Sequence, residues 1–120
     1  MAQVHYIQTD EAAASVDLEL SMQNQITMDL EGDYLFIGLD LFASGGKMYQ
    51  YKMSNLTHVP NNLKELLEHP RIIKNGTFMD YIADYLRRNY DINIPNKAIY
   101  DVNKNPLGTP GSRRLKAYRL

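Results

Sequence analysis

Acidic side chains recur at alternate positions in the first third of the chain. The even-numbered residues from Val16 to Leu30 are apolar except Asn24, whereas the odd-numbered positions include five acids: Asp17, Glu19, Asp29, Glu31 and Asp33. A period of two predicts strands with one buried face, and it directs these carboxylates toward solvent. Such an array could bind a cation or the basic surface of a partner.

The alternation is long for a single strand, so we predict a hairpin that turns at Gln23-Asn24-Gln25. A three-residue loop keeps the apolar residues on one face and places Asp17 opposite Glu31. Glu19 then lies opposite Asp29. Like charges directly across a ladder repel each other. The carboxylates therefore require solvent or a positive charge, which the protein's own basic residues, a metal ion or a basic partner could supply.

Metal binding and catalysis have little support in the sequence. An EF-hand calcium loop that starts at Asp29 would need glycine at its sixth position and glutamate at its twelfth, where the chain has Tyr34 and Asp40. The chain has no cysteine, and its three histidines lack the spacing of a metal site or a catalytic triad: His5, His58 and His69. We therefore predict no metal ion, no cofactor and no catalytic residue.

Basic residues cluster at the C-terminus around one aromatic residue, Tyr118. The basic members are Arg113, Arg114, Lys116 and Arg119. Their positive charges suit a nucleic-acid backbone, and a tyrosine ring suits a stacked base. The cluster is therefore a candidate contact for DNA or RNA, or for the acidic face of a second copy of the chain.

Charge is divided along the chain, although the net charge is only −1. Residues 1–46 contain eight acids and no lysine or arginine, whereas residues 47–120 contain all thirteen basic residues and six acids. This asymmetry favours a function in charge-complementary binding.

We expect a single domain over residues 1–120, because this length suffices for one hydrophobic core. An acidic β-meander is expected at 1–54, two helices at 60–90, and an irregular basic segment with short strands at 91–120. The sequence shows neither a signal peptide nor an apolar run long enough to span a membrane, so a cytoplasmic location is expected.

The predicted fold class is α+β, an antiparallel meander of four or five strands with two helices packed on one face. Beyond the hairpin, strands are expected at 33–44 and 48–54, with residues 4–9 as a candidate fifth strand. Weaker candidates follow the helices, at 91–95 and 97–102.

The helices are expected at 61–70 and 77–90, where apolar residues take helical spacing. Asn61 or Asn62 should cap the first helix, and Thr77 with Asp80 should form a capping box on the second. We expect three residues of the second helix to pack on the sheet: Phe78, Ile82 and Leu86.

Together these features predict a non-catalytic binding or inhibitor protein. Its acidic face (Asp17, Glu19, Asp29, Glu31 and Asp33) would imitate the spacing of phosphates and occupy a basic, nucleic-acid-binding surface of a partner protein. The alternative is a small DNA- or RNA-binding module that acts through the C-terminal basic segment. A third hypothesis is a homo-oligomer in which the acidic face of one subunit meets the basic half of another.

Overall fold

The computed structural model describes residues 3–16, 24–39 and 46–103. In these ranges the α-helices and strands follow one another as β1 Gln3–Ile7, α1 Asp10–Ala14, β2 Gln25–Glu31, β3 Tyr34–Leu39, β4 Lys47–Lys52, α2 Asn61–Glu68, β5 Ile73–Gly76, α3 Met79–Tyr90 and β6 Ile99–Asp101. Two short 3-10 helices occupy Met53–Asn55 and Asn96–Ala98. The predicted α+β class is confirmed.

The strands form one sheet in the order β1-β4-β3-β2-β5-β6. Its centre is the predicted antiparallel meander of β2, β3 and β4. The outer strands are parallel to their neighbours: β1 to β4, β5 to β2 and β6 to β5. The sheet is therefore mixed, because α2 and α3 act as crossovers that return the chain to the same end of the sheet.

The neighbours of β2 differ from those that the hairpin prediction requires. Within the described residues β2 pairs with β3 on one side and with β5 on the other, and Ile26 lies beside Lys74. The first arm was predicted at 16–22, and all of it except Val16 lies outside the described ranges. Alternation identifies a strand and its buried face, but it does not identify the strand that pairs with it.

The hydrophobic core lies between the helices and one face of the sheet. Directly opposite residues on neighbouring strands share that face, as Met28, Ile37 and Tyr49 do. The helices contribute their apolar stripes to the same cluster: Ala13, Leu63, Leu66, Leu67, Met79, Ile82 and Leu86. In the described ranges, no helix has the length and apolar character that crossing a membrane requires.

Two elements were missed by the sequence analysis, and one was predicted where none forms. The missed elements are the short helix α1 and the strand β5, each of five residues or fewer. Residues 91–95 were predicted as a strand, but they follow α3 without regular structure. The predicted cap of α2 is also wrong, because Pro60 is its N-cap residue and Asn62 instead donates a hydrogen bond to the Ala13 carbonyl. Short segments carry too few residues for a period to be measured.

Lys74 is a cation within the core. Its side chain is 0% exposed, and its ammonium donates a hydrogen bond to the carbonyl oxygen of His69. Burial disfavours the charged form and lowers the pKa of Lys74 to about 8. Keeping Lys74 protonated therefore lowers the free energy of unfolding near neutral pH.

This cost predicts an unusual dependence of stability on pH. The unfolded chain keeps the Lys74 proton until pH approaches 10.5, whereas the folded chain releases it near pH 8. Between these values unfolding takes up a proton, so rising pH stabilises the fold by an amount of about 2 kcal/mol. Urea denaturation of the wild type and of Lys74→Met from pH 7.5 to 10 should show this gain in the wild type alone. If the free energy of unfolding changed with pH equally in the two proteins, Lys74 would not be the source of the gain.

Candidate functional site

The two acids at the end of β2 lie on the sheet face that is opposite the core. Ile26 and Met28 point into the core, and the residues between and after them, Thr27, Asp29 and Glu31, take the other face. Asp29 and Glu31 are exposed. Two carboxylates therefore project side by side at the open end of an inner strand.

Aromatic side chains, rather than acids, lie opposite these carboxylates on β3. Asp29 faces Phe36, and Glu31 faces Tyr34. Beyond Tyr34 lies Lys52, whose ammonium is 5.6 Å from the centroid of the Tyr34 ring. The like-charge pairs expected from the hairpin would have involved Asp17 and Glu19, which lie outside the described residues.

Asp33, the fifth acid of the predicted face, binds the segment that follows β4. Its carboxylate accepts a hydrogen bond from the Ser54 backbone N–H at 3.2 Å, at the start of the 3-10 helix Met53–Asn55. Hydrogen bonding to Ser54 lowers the pKa of Asp33. Its carboxylate therefore anchors a turn, whereas Asp29 and Glu31 are held by no such tertiary contact in the described residues.

A close contact between β5 and β2 positions the next part of the site. A Cβ atom at Gly76 would lie 2.5 Å from the Met28 carbonyl oxygen and 3.0 Å from the Met79 sulfur. Only glycine fits this approach, since a backbone carbonyl cannot move aside cheaply. β5 pairs with β2 at Gln25–Thr27, so the chain leaves β5 toward α3 at the level of Met28, one residue before Asp29.

The start of α3 is capped by a residue distant in sequence. The Met79 backbone N–H donates a 2.7 Å hydrogen bond to the carboxylate of Asp101 on β6, which is 4% exposed. The other oxygen of Asp101 accepts from the Asn103 N–H at 2.9 Å. The predicted capping box of Thr77 and Asp80 is wrong, because Phe78 is the N-cap residue and provides no side-chain hydrogen bond. A carboxylate at a helix N-terminus also complements the helix dipole.

Phe78 itself contradicts its predicted position in the core. Ile82 and Leu86 are buried as predicted, but Phe78 is 67% exposed and has a left-handed backbone conformation, φ 59° and ψ 42°. The helical stripe predicted from the sequence begins one residue too early, because α3 starts at Met79, which is 0% exposed and fills the core position instead.

The two exposed carboxylates supply part of a binding site for a divalent cation. In residues 3–16, 24–39 and 46–103 no group of three or more acidic, histidine or cysteine side chains is close enough to hold a metal ion. Mg²⁺, however, commonly binds through one or two protein carboxylates together with waters and the phosphates of a substrate. Asp29 and Glu31 fit this incomplete type of site, although Asp29 also accepts a hydrogen bond from the Leu30 N–H at 2.9 Å.

Another polar cluster joins α1 to the loop before α2. Thr57 donates hydrogen bonds to the Asp10 carboxylate from its N–H and its hydroxyl, and its hydroxyl oxygen is 3.1 Å from Nδ1 of His58. These bonds from Thr57 lower the pKa of Asp10. The hydroxyl proton is directed at the carboxylate and not at the imidazole, so the arrangement is unlike a nucleophile and its base.

The remaining histidines, His5 and His69, make contacts within the fold. His5 stacks on Tyr49 with ring centroids 5.0 Å apart, and Nδ1 of His69 accepts a hydrogen bond from the Arg71 N–H. The C-terminal basic cluster lies outside the described residues: Arg113, Arg114, Lys116, Tyr118 and Arg119. Its contact with nucleic acid or with a second copy stays a prediction.

No protein-family model matches this sequence, and no curated protein matches it. Solved structures do match its fold. A crystal structure of the EXD2 exonuclease domain soaked in Mg and dGMP has a TM-score of 0.74 and 16% identity, over 85% of this chain and 57% of that one. The same domain soaked in Mn and GMP has a TM-score of 0.72 and 16% identity, over 91% and 65%. The domain without a named soak gives 0.71 and 17%, over 85% and 57%.

The chain thus shares the fold of an exonuclease domain and spans little more than half of its length. This finding contradicts the prediction of a non-catalytic inhibitor that mimics nucleic acid, and with it the prediction that the protein is not an enzyme. The error arose because charge segregation along the sequence was interpreted as a binding surface. Identities of 15–17% explain why the sequence alone did not point to this fold.

The contact at Gly76 can be tested by adding one methyl group. Gly76→Ala should destabilise the protein by about 2–3 kcal/mol, since its Cβ collides with the backbone of Met28. Gly32→Ala is the matched control: at φ 60° it has open space around the Cβ, and only the backbone strain of about 1 kcal/mol remains. Urea denaturation measures both. Equal losses for the two variants would show that β5 is not packed this tightly on β2.

Proposed function

We propose that this protein hydrolyses phosphodiester bonds in nucleic acid with the help of a divalent cation held at Asp29 and Glu31. The observation that carries the proposal is the position of these carboxylates. They project together, exposed, from the end of an inner strand in a fold shared with exonuclease domains that were soaked with Mg, Mn and guanosine monophosphates.

The chemistry needs negative side chains that face solvent instead of the core. A bound divalent cation supplies Lewis-acid polarisation of a phosphate oxygen and lowers the pKa of a coordinated water. The task of Asp29 and Glu31 is to hold that charge at a fixed place, which their pairing with β3 makes possible. Phosphate oxygens of the substrate would complete the coordination that two carboxylates leave open.

The rigid setting of the acids supports a catalytic function over a purely electrostatic one. β2 pairs with β3 and β5, and its core-facing residues Ile26 and Met28 are at most 2% exposed. Asp29 and Glu31 are themselves paired with residues of β3, and a backbone held in a ladder loses little further entropy when a ligand binds. Since the chain spans 57% of the EXD2 domain, the activity of a complete enzyme is part of the proposal.

The proposal predicts that neutralising either acid abolishes hydrolysis without unfolding the protein. Asp29→Asn and Glu31→Gln should each reduce nucleotide release from end-labelled single-stranded DNA or RNA in Mn²⁺ or Mg²⁺ by about 100-fold or more. Both substitutions should also weaken Mn²⁺ binding, measured by isothermal titration calorimetry. The matched control is Glu65→Gln, an exposed acid on α2.

Three results of these assays test the proposed site and the proposed activity separately. Cation-dependent hydrolysis that is lost in both site variants and kept in the Glu65 variant supports the proposal. Hydrolysis that persists after both substitutions contradicts the assignment of the site. Absence of any cation-dependent hydrolysis by the wild type on both substrates contradicts the proposed activity itself.

A further inference from the structure

Phe78 has a conformation that its own side chain disfavours. Its backbone is left-handed, with φ 59° and ψ 42°, in a region that large L-residues rarely occupy. Burial does not offset this strain, because the side chain is 67% exposed. Strained residues of this type concentrate at functional sites, where the strain has a use other than stability.

A second exposed aromatic ring lies one turn away. Tyr81, three residues after Phe78, is 59% exposed on the first turn of α3. Phe78 precedes α3 as its N-cap residue, and Tyr81 lies in the first turn of the helix. We call these two exposed residues the α3 aromatic pair.

Tyr81 begins a line of tyrosine rings along α3. The centroids of Tyr81 and Tyr85 are 6.2 Å apart, and those of Tyr85 and Tyr90 are 6.1 Å apart. Tyr85 and Tyr90 pack against the core, so these inner rings hold the exposed Tyr81 ring in place.

Phe78 follows the contact that joins β5 to β2. Thr27 is the last residue of β2 that pairs with β5, and its partner is Asn75. One residue further along each strand, Gly76 lies against the Met28 carbonyl. Asp29 is the next residue of β2, and Phe78 is two residues after Gly76.

We propose that Phe78, together with the exposed ring of Tyr81, stacks on unpaired bases of a single-stranded nucleic acid whose backbone lies at Asp29 and Glu31. This inference rests on the proposed function and names its substrate class. Aromatic rings bind bases of any sequence through their faces, whereas bases within a duplex are stacked on each other. A strained, exposed ring next to a phosphate-binding end selects strands whose bases are free.

Binding of two oligonucleotides to the full chain tests the proposal. One is a fluorescein-labelled ten-nucleotide oligothymidylate, and the other is an abasic strand of the same length, each measured by fluorescence anisotropy in EDTA and in Mn²⁺. Phe78→Ala should weaken oligothymidylate binding about tenfold and leave abasic binding unchanged. Phe78→Tyr should bind oligothymidylate as the wild type does. Tyr6 has a similarly exposed ring on β1, and Tyr6→Ala should have no effect.

A stability measurement separates function from structure. Phe78→Gly removes the left-handed strain, so its thermal unfolding midpoint should rise by a few degrees while oligothymidylate binding falls. A lower midpoint would mean that Phe78 is needed for folding, and the proposal would be overturned. Equal losses on both oligonucleotides, or none, would overturn it as well.

The design also separates this proposal from the proposed hydrolysis. The difference between oligothymidylate and abasic binding in EDTA depends on the aromatic pair and requires neither a cation nor cleavage. If hydrolysis is absent but Phe78→Ala abolishes that difference, the base-stacking surface stands and the catalytic proposal fails. If hydrolysis depends on Asp29 and Glu31 while that difference is unchanged, only the stacking proposal fails.

Discussion

The approach of β5 to β2 at Gly76 is the constraint on which the arrangement of the site depends. No side chain larger than hydrogen fits between this residue and the Met28 carbonyl. The contact holds β5 beside the first half of β2, so that β5 ends at the level of Met28, one residue before Asp29. On its other side β5 pairs with β6, whose Asp101 caps α3. The start of α3 therefore follows directly on the contact that precedes the two acids.

Local periodicity predicted much of this fold. The strands β2, β3 and β4 and the helices α2 and α3 each repeat an apolar pattern over six residues or more, and all five form. Periodicity could not predict β5, because four residues that include Lys74 and Asn75 do not alternate recognisably. It also could not predict parallel pairing, since the pairing depends on crossovers whose contacts are distant in sequence.

The candidate site shows the same limit of sequence reasoning. Asp29 and Glu31 were recognised as exposed acids from their alternation, and the structure confirms their exposure. Their neighbours could not be recognised: the Asp101 cap is 22 residues from Met79, and the left-handed backbone of Phe78 has no signal in the sequence. The sequence thus identified two exposed acids, Asp29 and Glu31. The likeness of the fold to exonuclease domains is what supports the proposal that they bind a cation.

Charge along a sequence is also a poor guide to charge in space. The segregation of acids and bases suggested a surface that captures a basic protein, and the exonuclease-like fold contradicts that function. One of the basic residues, Lys74, is buried within the core. Others on α3 pair locally, as Arg87 and Arg88 do with Asp84. Positions in the sheet and helices, and not the order of charges, decide which groups are accessible.

The most direct test of the central claim is the location of a bound cation. In ¹⁵N-resolved NMR spectra, substoichiometric Mn²⁺ should broaden the amide signals of residues 29–31 and 77–79 before all others, because a paramagnetic ion acts on nearby nuclei. We expect this pattern for the wild type, and Asp29→Asn should remove it. Broadening centred on Asp10 or Asp84, or no selective broadening, would contradict a cation site at the end of β2.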